Sequence, residues 1–267
     1  MTIASSLDLF TGGQLRAAVA AAGEAVKAAP GDIASRSLLA EYLCVAGELE
    51  RAERQLEAIA AQDPKTTVQV MTLRQLVRAD MMRRQVWKDG RAPEFLVEPP
   101  AHAAARLEAL MHLRNGDVAA AAESVARAED LRPQVSGMAG DVPFDDFRDL
   151  DDLIGGVLEV MTTTGKYYWV PMEQIEQAEF QPPSRPLDTA WRTVQLSVRG
   201  GPEGEVVIPG IYPVTGEAPS EAALTGRETD WIEEAPGFVR GQGLRCFLVG
   251  EESVSVLDLR TLTFKAD

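Results

Sequence analysis

The first half of this chain repeats itself at a fixed spacing. Gly13, Ala18 and Pro30 recur as Gly47, Ala52 and Pro64, an offset of 34 residues, and again as Gly116, Ala121 and Pro133. The distance from Gly to Pro is 17 residues each time. The three residue types act differently: Gly lets the chain leave a helix at positive φ, Ala lets two helices cross closely, and Pro cannot continue a helix. A unit carrying these three marks is a helical hairpin that buries only one face, so it must stack on its neighbours and leave a concave surface suited to a peptide or a helix. A binding protein is therefore expected ahead of an enzyme.

The 34-residue period is that of a tetratricopeptide-type hairpin. In the second repeat Leu38, Leu39, Tyr42 and Leu43 stripe one helix at 3.6 spacing, and Leu49, Ala52, Leu56 and Ile59 stripe the next. A longer helix is read from Thr66 to Trp87, with Val70, Leu73, Leu76, Val77 and Met81 on its apolar face. It has no partner helix before the break at Asp89-Gly90, Pro93 and Pro99-Pro100. A third hairpin follows, Ala103 to Leu113 and Asp117 to Asp130. Residues 66–102 thus form a lone helix and an irregular loop wedged between repeats two and three, expected to close one end of the groove. Nothing in the spacing requires the second half, so residues 1–133 are expected to fold as an independent domain.

Gln134 to Gly140 reads as a linker, where Gly, Ser and Pro coincide with a change of period. Beyond it the pattern is short and β-rich: Tyr167 to Val170, Ile175 to Phe180, Thr193 to Val198, Glu205 to Ile208, Leu244 to Val249 and Val254 to Leu259, with Gly and Pro turns between them. Helices are expected at Leu150 to Met161 and Ser220 to Leu224. The whole is an α+β protein: a tetratricopeptide-like array over 1–133, then a β-rich domain over 134–267 built on a small antiparallel sheet or partly open barrel.

Charge is divided unevenly. Residues 1–133 hold 16 Lys and Arg against 18 Asp and Glu, and residues 134–267 hold 10 against 23, so nearly all of the net −15 lies in the second half. Nucleic acid and anionic lipid are disfavoured as partners, because phosphate contacts need clustered Lys and Arg. No apolar run long enough to span a membrane appears, and Asp8 precedes any base, so neither membrane insertion nor a signal peptide is expected. The two cysteines, Cys44 and Cys246, fall in different halves, which suits a reducing compartment and a cytoplasmic location.

Catalytic constellations are close to absent. His102 and His112 lack the companions a zinc site needs, which predicts surface or interhelical histidines. Thr164-Gly165-Lys166 resembles the end of a phosphate loop, but Gly156 stands nine positions back and Tyr167 replaces the Ser or Thr that would ligate magnesium. No Gly-x-Ser-x-Gly elbow is present. No cofactor or metal is expected. The acidic group Asp141, Asp145, Asp146, Asp149, Asp151 and Asp152 lacks the order of a calcium loop and is read as capping and solvation of the helix at Leu150.

Two surfaces are candidates for a partner. Counted back from its closing Pro, the first helix of the second repeat turns Ser37, Glu41, Cys44 and Val45 towards the concave side. They mix small, apolar and acidic side chains with no Lys or Arg clamp, which suits an amphipathic helix better than a peptide carboxylate. The run Tyr167-Tyr168-Trp169 is either a strand buried between the two halves or an aromatic anchor.

The segments Leu38-Leu39-Ala40-Glu41-Tyr42-Leu43-Cys44-Val45-Ala46-Gly47, Gly165-Lys166-Tyr167-Tyr168-Trp169-Val170-Pro171, Leu187-Asp188-Thr189-Ala190-Trp191, Thr229-Asp230-Trp231 and Leu257-Asp258-Leu259-Arg260 together resemble the ImpE/TagJ family of bacterial type VI secretion clusters. The resemblance spans nearly the whole chain, in order. It implies a cytoplasmic, non-enzymatic accessory protein that associates with the small subunit of the contractile sheath through that subunit's N-terminal helix, adjusting sheath assembly, localisation or turnover. The alternatives are a general tetratricopeptide scaffold or adaptor for another peptide, and a hydrolase with a carboxylate site between the domains.

Overall fold

A computed structural model describes residues 3–214, 216 and 218–266. The helical part comprises α1 (Ile3–Thr11) with α2 (Leu15–Ala28), α3 (Ile33–Val45) with α4 (Leu49–Gln62), the long α5 (Thr67–Asp89), and α6 (Ala101–Arg114) with α7 (Val118–Leu131). The repeat marks stand where their chemistry requires. Gly13, Gly47 and Gly116 adopt φ of 77°, 74° and 77° in the turns between paired helices, a conformation that side chains resist. Ala18, Ala52 and Ala121 are wholly buried at the crossings. Pro30, Pro64 and Pro133 follow the last turns of α2, α4 and α7. Asp32 and Asp117 cap α3 and α7, each accepting a backbone N–H at 3.1 Å.

The second half contributes β1 (Gly137–Ala139), β2 (Val142–Phe144), β3 (Phe147–Asp149), β4 (Val157–Thr162), β5 (Tyr167–Pro171) and β6 (Ile175–Phe180). After the short α8 (Leu187–Ala190) come β7 (Trp191–Val198) and β8 (Glu203–Pro209), then α9 (Glu221–Leu224). The chain finishes with β9 (Thr229–Ala235), β10 (Phe238–Gly243), β11 (Cys246–Val249), β12 (Glu252–Ser255) and β13 (Thr261–Phe264). An eight-stranded antiparallel sheet runs in the order β2-β1-β13-β6-β7-β8-β4-β5, beside a three-stranded sheet β12-β11-β3 and a two-stranded ribbon β10-β9. The α+β reading therefore holds.

Two expectations are corrected. The helix read over Leu150 to Met161 is a single 3₁₀ turn, Asp152–Ile154, followed by β4. Gly155-Gly156 breaks the helix, and all but the last residue of β4 are buried, so no alternation marks it as a strand. The linker, too, contains a strand: β1 pairs with β13, with Gly137 opposite Phe264. A Cβ on Gly137 would lie 2.3 Å from the Thr263 carbonyl oxygen, so only glycine admits that pairing.

The secondary structure changes type between Leu131 and Gly137, close to the boundary read at residue 133. The cores do not divide there. One apolar cluster joins Leu43, Val77 and Trp87 of the array to Val157, Tyr167, Trp169, Trp191 and Phe238 of the β-rich half, whereas a second, containing Phe147, Phe247 and Phe264, has all its buried residues in the latter, with Leu96 packed against it. Helix α5 packs on α4 and on β4 and β5. The loop after it adds to the sheet rather than closing a groove: Glu94 N–H donates to Tyr167 O (3.1 Å) and Glu94 O accepts from Trp169 N–H (3.0 Å). We propose on this basis that residues 1–133 and 134–267 are two structural parts of one cooperative unit.

Ala52→Leu is expected to overpack a sealed crossing and lower stability by about 1–3 kcal/mol in urea unfolding. An unchanged midpoint would show that the crossing has room. Calorimetry of the full chain is expected to give one transition, and two separate transitions would show that the parts unfold independently.

Candidate functional site

The two halves meet on a buried charge network centred on β4. Glu159 accepts from five donors: Arg83 Nε (2.8 Å) and Nη2 (3.0 Å), Trp87 Nε1 (3.0 Å), Tyr167 Oη (2.5 Å) and Arg245 Nη1 (3.0 Å). Arg245 also gives its Nε to Asp149 (2.5 Å), which accepts from Tyr212 Oη (2.9 Å). Arg240 pairs with Asp151 (2.8 Å), and its guanidinium lies 5.0 Å from the centre of the Trp87 ring. Trp169 Nε1 closes the network on Tyr167 Oη at 2.7 Å.

Burial alone would raise the Glu159 carboxyl, but the charges of Arg83 and Arg245 outweigh it and hold the group down to about 2. Asp149 goes the other way. Burial pushes it up to about 6 against the pull of Arg245, whose charge it shares with Glu159, and Asp151 adds to the rise. Burial also raises the Tyr167 hydroxyl, helped by the Glu159 charge. Asp149 and Glu159 are the carboxylates that folding brings together between the halves. Both are sealed from solvent and engaged by arginines.

Beside this network a cleft of about 760 Å³ opens between α2, the α3–α4 turn, α5 and the segment after β8. Leu15, Val19, Val45, Trp191, Ile211 and Leu224 supply apolar lining, and Arg83, Trp87 and Tyr212 reach it from the network. Ion pairs stand around it: Arg51 with Glu48, Arg84 with Asp80 (3.4 Å) and Arg16 with Glu221 (3.5 Å). Glu221 also accepts the backbone N–H of Arg16 at 2.9 Å and so ties α9 to the start of α2. Asp80 is buried, whereas the Arg51–Glu48 and Arg16–Glu221 pairs reach solvent and are worth about 0–1 kcal/mol each.

The candidate partner residues are not all brought together. Cys44 and Val45 line the cleft, buried at its base, and burial pushes the Cys44 thiol well above its ordinary value. Glu41 lies outside the cleft and pairs with Arg185 at 3.2 Å, because α8 packs against α3 on that side. Burial raises the Glu41 carboxyl despite the Arg185 charge. Ser37, one turn earlier on α3, is partly buried and also lies outside the cleft. Tyr167 and Trp169 are fully buried, which fits a strand held between the halves and leaves them no surface in this conformation. Tyr168 is half-buried, its ring 5.9 Å from Lys166 Nζ. Sequence reasoning missed Arg83, Trp87, Trp191 and Tyr212. Only the placement of arginines within otherwise apolar patterns, at 83, 240 and 245, hinted at them.

The other residues singled out in the sequence have definite places in the fold. The acidic group is mostly an arginine-binding set: Asp146 holds Arg132 (2.6 Å), Asp152 holds Arg148 (2.6 Å), and Asp149 and Asp151 hold Arg245 and Arg240. Asp151 caps the 3₁₀ turn, accepting from Leu153 N–H at 2.9 Å, and Asp149 likewise accepts from Asp151 N–H at 2.8 Å. His102 is buried and lies 2.8 Å from Glu173 Oε1, while His112 is 3.7 Å from Glu108. Thr164-Gly165-Lys166 is the turn of the β4–β5 hairpin, with Gly165 at φ 84°. Among the described residues no three His, Cys, Asp or Glu side chains are placed to hold a metal, and no helix is long and apolar enough to cross a membrane.

A tetratricopeptide-type array locked through buried arginines onto an antiparallel sheet, with a cleft at the junction, defines the class. Residues 9–76 match a tetratricopeptide repeat family and residues 141–263 match the ImpE protein family. The chain is 31% identical to the type VI secretion system accessory component TagJ of Pseudomonas aeruginosa, over 97% of this chain and 90% of that protein. The crystal structure of protein VPA1032 from Vibrio parahaemolyticus superimposes with a TM-score of 0.91 at 32% identity, covering 98% of each chain. This chain belongs to the ImpE/TagJ family.

Glu159→Gln is expected to strand Arg83 and Arg245 and lower stability by about 3–5 kcal/mol. The folded protein keeps Glu159 ionised to about 2, whereas its ordinary value is 4.5. Its stabilisation is therefore full above pH 4.5 and is lost as pH falls from 4.5 towards 2. Asp149, raised from 3.8 to about 6, acts oppositely: its penalty is full above pH 6 and fades as pH falls towards 3.8. Urea midpoints measured against pH are expected to show an acid loss that is shallower in Glu159→Gln. Parallel profiles would mean that Glu159 does not carry the charge assigned to it.

Proposed function

We propose that this protein is a non-catalytic accessory component of a bacterial type VI secretion system that acts in the cytoplasm by binding the small subunit of the contractile sheath. The bound element is that subunit's N-terminal helix, seated in the cleft between α2, α5 and the segment after β8, and the outcome is an adjustment of sheath assembly, localisation or turnover. The observation that carries this reading is the cleft itself: an apolar strip from Leu15, Val19, Val45, Trp191, Ile211 and Leu224 set among charged side chains, with room, at about 760 Å³, for the bulky side chains of one helix face. Membership of the family that includes the Pseudomonas component supports the system assigned. The carboxylates between the halves favour no hydrolase, since arginines engage both.

The test fills the cleft without touching the core. Ala20 and Gly23 both line it; Ala20 is exposed, and a Cβ on Gly23 meets nothing within 4 Å. Ala20→Trp with Gly23→Glu is expected to weaken binding of a peptide copying the sheath subunit's N-terminal helix at least tenfold, with circular dichroism and melting temperature unchanged. Affinity that survives the double change would place the partner elsewhere. No binding by the unmodified protein would point to an adaptor for a different peptide.

A further inference from the structure

The β9–β10 ribbon has one edge closed and one open. On β10, Val239 N–H and Gly241 N–H turn away from β9 and donate to Asp152 Oδ2 (2.7 Å) and Asp151 Oδ2 (3.1 Å). Val239 lies opposite Glu233 and Gly241 opposite Trp231. In an antiparallel pair, opposed residues both face inward or both face outward, so Trp231 and Glu233 direct their own N–H and C=O groups out of the other edge. Among the described residues nothing bonds to these four groups. Helix α7 lies near both strands, and Asp230, Trp231, Ile232 and Glu233 remain exposed along this edge.

The side chains of β9 suit pairing. Edge strands that avoid it carry charged side chains, Lys above all, or Pro, or twist away, and the acids of β9 would repel any guest except a basic one. Here Trp231 and Ile232 stand at the centre on opposite faces, 44% and 40% exposed, and the Trp231 ring is steadied edge-on against Tyr212 at 6.1 Å. Asp230, Glu233 and Glu234 flank them, with no Lys or Arg paired to any among the described residues. We propose that β9 accepts an added strand from a partner protein, an extended segment carrying Lys or Arg opposite these acids. The outward groups of Trp231 and Glu233 supply the backbone hydrogen bonds, Trp231 and Ile232 cover apolar side chains of the guest, and the carboxylates select its charge. A second copy of this chain would bring the same acids and the same net −15, which oppose it. The cleft uses no residue of β9, so the two proposals stand or fall separately.

The probe is a synthetic nine-residue strand of alternating Lys and Val, and its control is the same peptide N-methylated at every residue, which keeps the charge but leaves no backbone N–H on either edge. With the full-length protein, the unmodified peptide is expected to bind at least tenfold more tightly than the control and to slow amide exchange at Trp231 and Glu233. Glu233→Lys with Asp230→Lys is expected to abolish that preference without changing the circular dichroism. Trp231→Pro removes one outward N–H and is expected to weaken binding as well. Equal affinity for the two peptides, no binding at all, or binding indifferent to both variants would overturn the proposal. So would light scattering showing a dimer that Glu233→Lys dissociates, because a second copy would then hold the edge.

Discussion

The carboxylate of Glu159 must stay ionised where no water reaches it, and five donors from four residues make that tolerable. Because Arg83 and Trp87 come from α5, Tyr167 from β5 and Arg245 from the residue just before β11, satisfying one oxygen pair fixes the placement of all three elements. A buried ion pair is not by itself a large source of net stability, since its desolvation offsets most of its attraction. What it does supply is registry. Any slip of α5 along the sheet leaves an uncompensated charge, so α5 cannot glide along β4 as an apolar helix could.

That registry shapes the cleft. Arg83 and Trp87 serve the network and the cleft at once, and the Arg83 guanidinium also donates to the Ile211 carbonyl at 3.0 Å, holding the opposite wall. Glu221 then ties α9 back to α2. The walls are thus braced through both the core and the surface, which favours a guest that meets a preformed shape and loses little freedom on docking.

Local chemistry made much of this legible in the sequence. Gly, Ala and Pro fix the helical hairpins through turn geometry and close crossing, and the strands at β5, β6 and β7 declare themselves by short apolar runs between turn residues. Legibility ends where a partner is distant. Arg83 and Glu159 are 76 residues apart, and Arg245 and Asp149 are 96, so no spacing rule connects them. The reading of Ser37, Glu41, Cys44 and Val45 as one concave face treats the repeat in isolation, whereas α8 packs on α3 from far along the chain, as the Arg185–Glu41 pair, 144 residues apart, shows. β4 escaped detection for another reason, because burial on both faces erases the alternation that betrays a strand.

The third hairpin, α6 with α7, repeats the same marks yet contributes no residue to the cleft. It packs instead on the 3₁₀ turn at Asp152–Ile154, where Arg106 donates to the Asp152 carbonyl, and on the β9–β10 ribbon, while Arg132, just after α7, pairs with Asp146. Copies of one repeat unit have thus been put to unlike uses: the first hairpins present a surface, while the third serves as a buttress. If the cleft binds as proposed, substitutions in it would alter which guest is accepted without disturbing the buttress, leaving recognition free to diverge on an unchanged frame.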